Sequence, residues 1–394
     1  MIDNKLIEYS CPFCKEMNKE VLYQYNTYAG QVLGDTLVTL VMCSSCAFVY
    51  NSPRPTRSVI NKHYQEASSG AVYRETYSGS RSATLDLERS EFIEQHSNTV
   101  GSGKFIDVGC GQGSLLRKLN LPQLQKFGLD PIQKTSNKLN DSVVFINGFI
   151  ETYKAGADEK FEVVSCISSL EHYYSPEIVL DKFKNLLVFN GILILEVPDS
   201  LHPKGQLAEF FSFEHLSHFT EISLTRMLNL YGFEVIEFDR NVSIPNLRVA
   251  AKKVESSDYK MAQKNERFLL KEIIDKYISA KELEIQRIAS LLNPIIIDCK
   301  INKKIVLIYG AGDHTVHLFS HFELESCVSN YIDSDSKKWG ALFRGKKVLE
   351  PSAIGLYTDA IIVISSHDYE AEILNTVNVY NSNSLAVKCL YNNE

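Results

Sequence analysis

The 394-residue chain lacks any apolar run long enough to span a bilayer, which takes about 18 or more residues. Its nearest approach, LLNPIIID, is short and carries Pro294. It also lacks an excess of basic residues: 41 Lys and Arg face 48 Asp and Glu, for a net charge of −7. That balance argues against a protein whose main task is gripping nucleic-acid phosphates. The opening residues, MIDNKLIEYSCPFC, hold no apolar stretch of the secretory kind, so the expected compartment is the cytoplasm. Nine cysteines, an odd number without such a signal, speak against a disulfide framework. With 44% hydrophobic and 23% charged residues the composition is that of an ordinary globular chain. At roughly 150 residues per domain it holds two or three domains.

The prolines of NSPRPT close a first segment, residues 1–60. Residues 61–100 read as polar and helical, with Tyr64, Tyr73 and Tyr77 among them. From Lys104 to Val254 short apolar runs alternate with helix-compatible sequence: KFIDV, KFGLD, VVFIN, FEVVSCIS and GILILEV. That alternation predicts five parallel strands, and FEVIEF with LRVAAK predicts an antiparallel edge. Charged sequence with apolar residues at helical spacing over 258–292 predicts a long connecting helix. KKIVLIYGAGDHTVHLF then starts a second α/β unit. The expected division is 1–60, 61–254, 255–300 and 301–394.

Within FIDVGCGQGSLLRKL a strand carrying Asp107 runs into Gly109, Gly111 and Gly113, and a helix follows. Glycines let the backbone turn sharply and admit a ligand that Cβ atoms would exclude. A dinucleotide loop wants a third glycine where Ser114 stands. The alternative ligand, S-adenosylmethionine, carries an ammonium and a sulfonium that suit Asp107. Asp130, at the tip of the second strand, can accept the two ribose hydroxyls. Asn147 to Glu151 follow the third strand, with Phe149 the expected wall for an adenine ring.

Cys11-x-x-Cys14 and Cys43-x-x-Cys46, separated by residues 15–42, supply the four thiolates of one closed tetrahedral Zn²⁺ site. Such a site is structural and contributes folding free energy. A nucleic-acid-binding ribbon is the rival, but residues 15–42 are poor in basic side chains. Between Phe210 and Thr220 the run FFSFEHLSHFT packs Glu214, His215 and His218 among phenylalanines. Imidazole suits proton removal near neutral pH. His172 in LEHYYSP is a second histidine of this kind, and His218 is expected to serve packing.

The glycine loop, VVSCISSLEHYYSP, GILILEVPDS and LTRMLNLYGFEV together resemble class I S-adenosylmethionine-dependent methyltransferases over residues 100–254. The order of CPFC, CSSCAFVYNSPRPT, core and α/β tail is similar to a three-part family of sugar methyltransferases, one branch of which alkylates carbon on nucleotide-linked deoxysugars. The resemblance implies a Rossmann-like methyltransferase core of five parallel strands plus an antiparallel edge hairpin. It also implies a small amino-terminal zinc domain and a second Rossmann-like domain at the carboxyl end. It implies a nucleotide-linked sugar as small-molecule substrate and Glu214-His215 as the pair that carries the base, with His172 beside the transferred methyl. The charge balance and the lack of a membrane-length run lead us to expect no nucleic-acid or membrane partner. Ser212 stands where the carbon-alkylating branch has tyrosine, and GAGDHT differs from that branch's glycine run, so O-, N- and C-methylation stay open. A polyketide or lipid-linked acceptor, and a zinc-containing RNA-modifying or binding protein, are the competing functions. The tail's Gly310, Gly312 and Asp333 form a truncated dinucleotide fingerprint. They read as a second cofactor site, a dock for the nucleotide part of the substrate, or a degenerate cover.

Overall fold

The computed structural model describes residues 5–28, 30–69, 80–131, 143–156, 159–204, 207, 209–240, 242–255 and 264–391. Tyr73 and Tyr77 lie outside these residues. Two compact units emerge: Met1–Lys204 with Phe211–Asp275, and Gly205–Phe210 with Lys276–Glu394.

The first unit opens with β1 (Leu6–Ile7), β2 (Lys19–Tyr28), α1 (Gly30–Leu33), β3 (Asp35–Cys43), β4 (Val49–Asn51), β5 (Arg54–Pro55) and α2 (Arg57–Ser69). β2 and β3 pair antiparallel, β4 joins β3, and β1 pairs with β5. Then come α3 (Ser80–Ser97), β6 (Gly103–Val108), α4 (Ser114–Lys118), β7 (Leu124–Asp130), β8 (Val143–Asn147) and β9 (Phe161–Ile167). α5 (Pro176–Leu186), β10 (Leu187–Pro198), β11 (Ser217–His218), α6 (Glu221–Leu230), β12 (Phe233–Phe238) and β13 (Asn246–Lys253) complete the fold.

The central sheet has the order β12-β13-β10-β9-β6-β7-β8. β10, β9, β6, β7 and β8 run parallel, and β13 and β12 form the antiparallel edge. Its middle strands are near-continuous apolar runs because both faces are covered. Leu193 and Leu195 enter the cluster holding Val164 and Phe183, while Ile192 and Ile194 enter that of Phe105 and Leu116. Cys11, Phe13, Phe48 and Tyr50 belong to the first of these clusters, so the cysteine segment and the core share one hydrophobic interior. The two-residue β11 reaches back to pair Ser217 with Tyr50 and His218 with Val49. α6 starts on a reciprocal cap: Thr220 Oγ1 accepts from Ser223 N at 3.0 Å, and Ser223 Oγ accepts from Thr220 N at 2.9 Å.

α7 spans Lys264–Asn302, running ten residues past the expected end at 292 and straight through Pro294. Proline removes one helix hydrogen bond, but Leu292, Ile295 and Ile296 are buried on either side of it and hold the helical path.

The second unit adds β14 (Ile305–Tyr309), α8 (Asp313–His321), β15 (Val328–Ile332), β16 (Leu342–Phe343), β17 (Lys346–Leu349), β18 (Ala360–Ile364), α9 (Glu370–Tyr380) and β19 (Ala386–Cys389). Its sheet order is β16-β17-β15-β14-β18-β19, parallel except for the β16–β17 hairpin. Strand alternation sends Val306 and Ile308 into the cluster containing Ile288 and Leu318, and Leu307 and Tyr309 into that of Ile373 and Val377. This second α/β sheet, the mostly parallel core and the amino-terminal cysteine cluster match the expected fold class. Among the described residues no helix is long and apolar enough to cross a membrane.

Candidate active site and metal centre

The loop between β6 and α4 turns through three left-handed glycines, with φ of +79° at Gly109, +51° at Gly111 and +68° at Gly113. A Cβ on Gly109 would lie 2.3 Å from Ser169 Oγ, so that position is closed to a side chain. A Cβ on Gly111 would meet nothing within 4 Å, because this residue faces open space. The Gly111 amide donates to Asp130 Oδ2 at 2.8 Å, tying the loop to the tip of β7. A carboxylate has about four acceptor directions, of which this bond takes one.

A cavity of about 230 Å³ opens at this carboxyl edge of the sheet. Gly109, Gly111 and Asp130 bound one side, with Phe149 and Ile150 after β8, and Ser168, Ser169 and His172 after β9. Ile60, Asn61 and Tyr64 of α2 close it from the amino-terminal segment. Ligand clefts of open α/β sheets sit at this edge. Asp107 and Gly113 do not line the cavity. Asp107 lies buried under the loop, accepts from Ser165 Oγ at 2.7 Å, and has its carboxyl pushed up to about 6 by burial. Ser165 opposes that shift and the charge of Asp130 adds to it.

Beside the cavity the histidines gather. His172 and His215 meet edge to face with ring centroids 4.8 Å apart, and His172 lines the cavity while His215 does not. His172 Nδ1 lies 2.9 Å from the Tyr64 hydroxyl and 3.2 Å from the Glu214 carbonyl oxygen. Burial holds the His172 imidazole below its ordinary pKa. The Glu214 carboxylate bonds His63 Nε2 at 3.0 Å. Burial raises its pKa, but this bond and the neighbouring imidazoles outweigh it and hold the carboxyl low. His218 is buried on β11 with Nε2 3.2 Å from Asn51 Oδ1, and burial depresses it well below the usual range, as a packing residue requires.

Sequence reading missed three participants. Glu171 is 2% exposed, with one carboxylate oxygen 3.7 Å from His172 Nε2. Tyr64 and His63 come from α2. The adjacency in Leu170-Glu171-His172 was the only signal available for any of them.

The four cysteines converge, with Sγ atoms all within 4.8 Å of one another. Cys11 and Cys46 lie 3.5 Å apart, as do Cys14 and Cys43, and all four are free thiols. A tetrahedral ion with Zn–S bonds of about 2.3 Å spaces its sulfurs about 3.8 Å apart. Hydrogen bonding among the sulfurs pushes the Cys46 thiol up and the Cys43 thiol down, and four thiolates held this close together are satisfied by a shared cation. The donor set fits zinc. Arg267 donates to the carbonyls of Cys43 and Ser44 at 2.9 and 2.6 Å, and Arg226 to that of Cys46 at 3.1 Å.

Comparison with known proteins places residues 83–238 in a family model described as a methyltransferase domain, and residues 302–384 in one described as C2185-like, N-terminal. The ubiquinone biosynthesis O-methyltransferase of Pasteurella multocida is 30% identical over 125 residues, covering 28% of this chain and 52% of that protein. Its counterpart from Chromobacterium violaceum is 33% identical over 111 residues, covering 26% and 47%. The chain thus spans about half the length of the curated relatives it matches. A Burkholderia thailandensis 1,6-didemethyltoxoflavin-N1-methyltransferase structure is 14% identical with a TM-score of 0.42, covering 53% of this chain and 96% of that one. With its strand order, glycine loop and family match, residues 83–238 form a methyltransferase domain of the class I S-adenosylmethionine-dependent fold.

Proposed function

We propose that this chain transfers the methyl group of S-adenosylmethionine to a small molecule. The observation that carries the reading is the cavity where Gly111 faces open space beside the Asp130 carboxylate and Phe149. Those residues fit the donor: the cradle takes its backbone, Asp130 its ribose hydroxyls and Phe149 its adenine. When bound, the donor supplies an electrophilic methyl on a cationic sulfur. The chain's own task is to hold the acceptor in line, exclude water and remove its proton. His172 lines the cavity with the His215 ring against it, and the bond of Glu214 to His63 fixes the segment that carries His215.

The acceptor we assign is a sugar, nucleotide-linked, because a four-cysteine segment, a methyltransferase core and an α/β tail follow one another in the order of the sugar-methylating family. Zinc, in this reading, holds the Cys11, Cys14, Cys43 and Cys46 segment against the core. The expected boundaries at 60, 254 and 300 belong to the same proposal. The names of the relatives favour a second reading, a phenolic hydroxyl of a quinone precursor. Isotope-labelled methyl donor offered with nucleotide-sugar pools or with catechol-type phenols separates them. Label in the sugar fraction alone supports the first reading, label in the phenol alone the second. Calorimetry with no heat for donor or its demethylated product would remove both.

A further inference from the structure

We propose that Glu171 is the positioning partner of His172, and that this pair rather than His215 takes the proton of the methyl acceptor. The inference rests on the methyl-transfer reading above. Access comes first: His172 borders the cavity, and His215 stands against its ring without bordering it. The tautomer comes next. The Glu214 carbonyl near Nδ1 can only accept, and we take the tautomer that satisfies it: the proton of neutral His172 on Nδ1, with the Tyr64 hydroxyl as a second acceptor, and the lone pair on Nε2. Tyr64 steadies the same Nδ1.

Nε2 is the nitrogen that faces Glu171, at 3.7 Å. This is beyond hydrogen-bond reach, so Glu171 acts on the lone pair by charge and does not consume it. Its second oxygen, Oε2, is buried with no hydrogen-bond partner among the described residues, a desolvation cost that packing alone does not explain. The charged and titratable groups around Glu171 among the described residues include Glu196 on β10, Arg89 on α3, the Cys166 thiol on β9, His172 itself, and His215, a ring nitrogen of which comes within 4.8 Å of the carboxylate. Arg89 is committed to Glu196 through Nε at 3.0 Å. Around His172 stand Glu214, whose charge favours the imidazolium, His63, whose charge opposes it, and the His215 ring 4.8 Å away.

Burial pushes the Glu171 carboxyl up to about 8; a backbone hydrogen bond opposes this and the Glu196 charge adds to it. Below that value the pair is neutral. Above it a carboxylate faces Nε2 and stabilises the imidazolium that burial otherwise disfavours. The acceptor's proton then passes to Nε2 as the acceptor atom's electron pair forms its bond to the methyl carbon; the pair of the broken sulfur–carbon bond stays on sulfur.

The test compares wild type with Glu171→Gln, Glu171→Asp and His215→Ala. Imidazole NMR titration of the chain without donor or acceptor should show His172 following an inflection near pH 8, lost in Glu171→Gln. With donor and acceptor, wild-type kcat should rise through that pH. Glu171→Gln should lower kcat about 10–100-fold and flatten the rise, with donor KM unchanged, and Glu171→Asp should recover part of it. An unchanged His172 titration with an unchanged pH limb in Glu171→Gln would overturn the proposal. So would loss of the limb in His215→Ala alone, or a rate that requires added Mg²⁺. If calorimetry shows no donor binding, the methyl-transfer reading fails, and the NMR arm still decides whether Glu171 and His172 are coupled.

Discussion

The hydroxyl of Tyr64 lies 2.9 Å from Nδ1 of His172, across 108 positions of sequence. α2 thereby fixes the orientation of a ring on the far wall of the cavity. Tyr64→Phe keeps the ring that borders the cavity and removes the bond. We expect kcat to fall about tenfold, with donor affinity changed less than twofold and melting temperature within a few degrees of wild type. Steady-state kinetics with a donor titration checks this. An equal loss in donor affinity would mean that Tyr64 serves the donor and not the base.

Gly111 gives a cleaner separation of binding from folding. Its neighbourhood is open, whereas a Cβ at Gly109 collides with Ser169. Gly111→Leu should therefore abolish donor binding while costing only the strain of a left-handed φ, about 1–2 kcal/mol. Gly109→Ala should mainly destabilise. Calorimetry beside thermal melts distinguishes the two, and full donor affinity in Gly111→Leu would place the donor elsewhere.

Much of this was legible in the sequence, for a physical reason. β6, the loop and α4 are contiguous, so the residues that shape the cradle lie within one short run. The central strands announced themselves as apolar runs because both faces are covered. What escaped were the side chains that reach the site from distant segments. His63 meets Glu214 across 151 positions, and no local pattern encodes that meeting. β11 is two residues long, too short for strand periodicity, yet it joins the cysteine segment to the run carrying Glu214 and His215. The helix beyond Pro294 was hidden because local propensity opposes it and tertiary burial of Ile295 and Ile296 overrides that propensity.

The cysteine cluster predicts a metal-linked stability. Cys11, Cys43 and Cys46 are fully buried and belong to the hydrophobic cluster that also holds the core. Protein purified without added metal should carry one zinc per chain by elemental analysis. Cys43→Ser should lower zinc content to near zero and reduce the melting temperature by more than ten degrees. A Cys43→Ser chain that retains both would show that the cluster is not a metal site.

Glu196 predicts how the fold responds to acid. It is fully buried on β10 and bonds Arg89 and, at 2.8 Å, Arg248, whose other arm reaches Asp239 at 2.7 Å. Burial alone would raise its pKa, but the two guanidinium groups outweigh that and hold the carboxyl at about 2. A carboxyl lower in the folded chain than the usual value of about 4.3 favours folding once it is ionised in both states. That contribution, roughly 3 kcal/mol, is complete above about pH 4.3 and disappears as pH falls toward 2. Glu196→Gln leaves Arg89 and Arg248 buried with their charge uncompensated on this side. It should cost about 3 kcal/mol at pH 7, at the lower end for a broken buried pair because Asp239 still holds Arg248. Its stability should change less than that of wild type between pH 4.3 and 2. Urea unfolding of both chains across that interval measures the difference. Parallel losses in the two would show that other carboxylates carry the acid response.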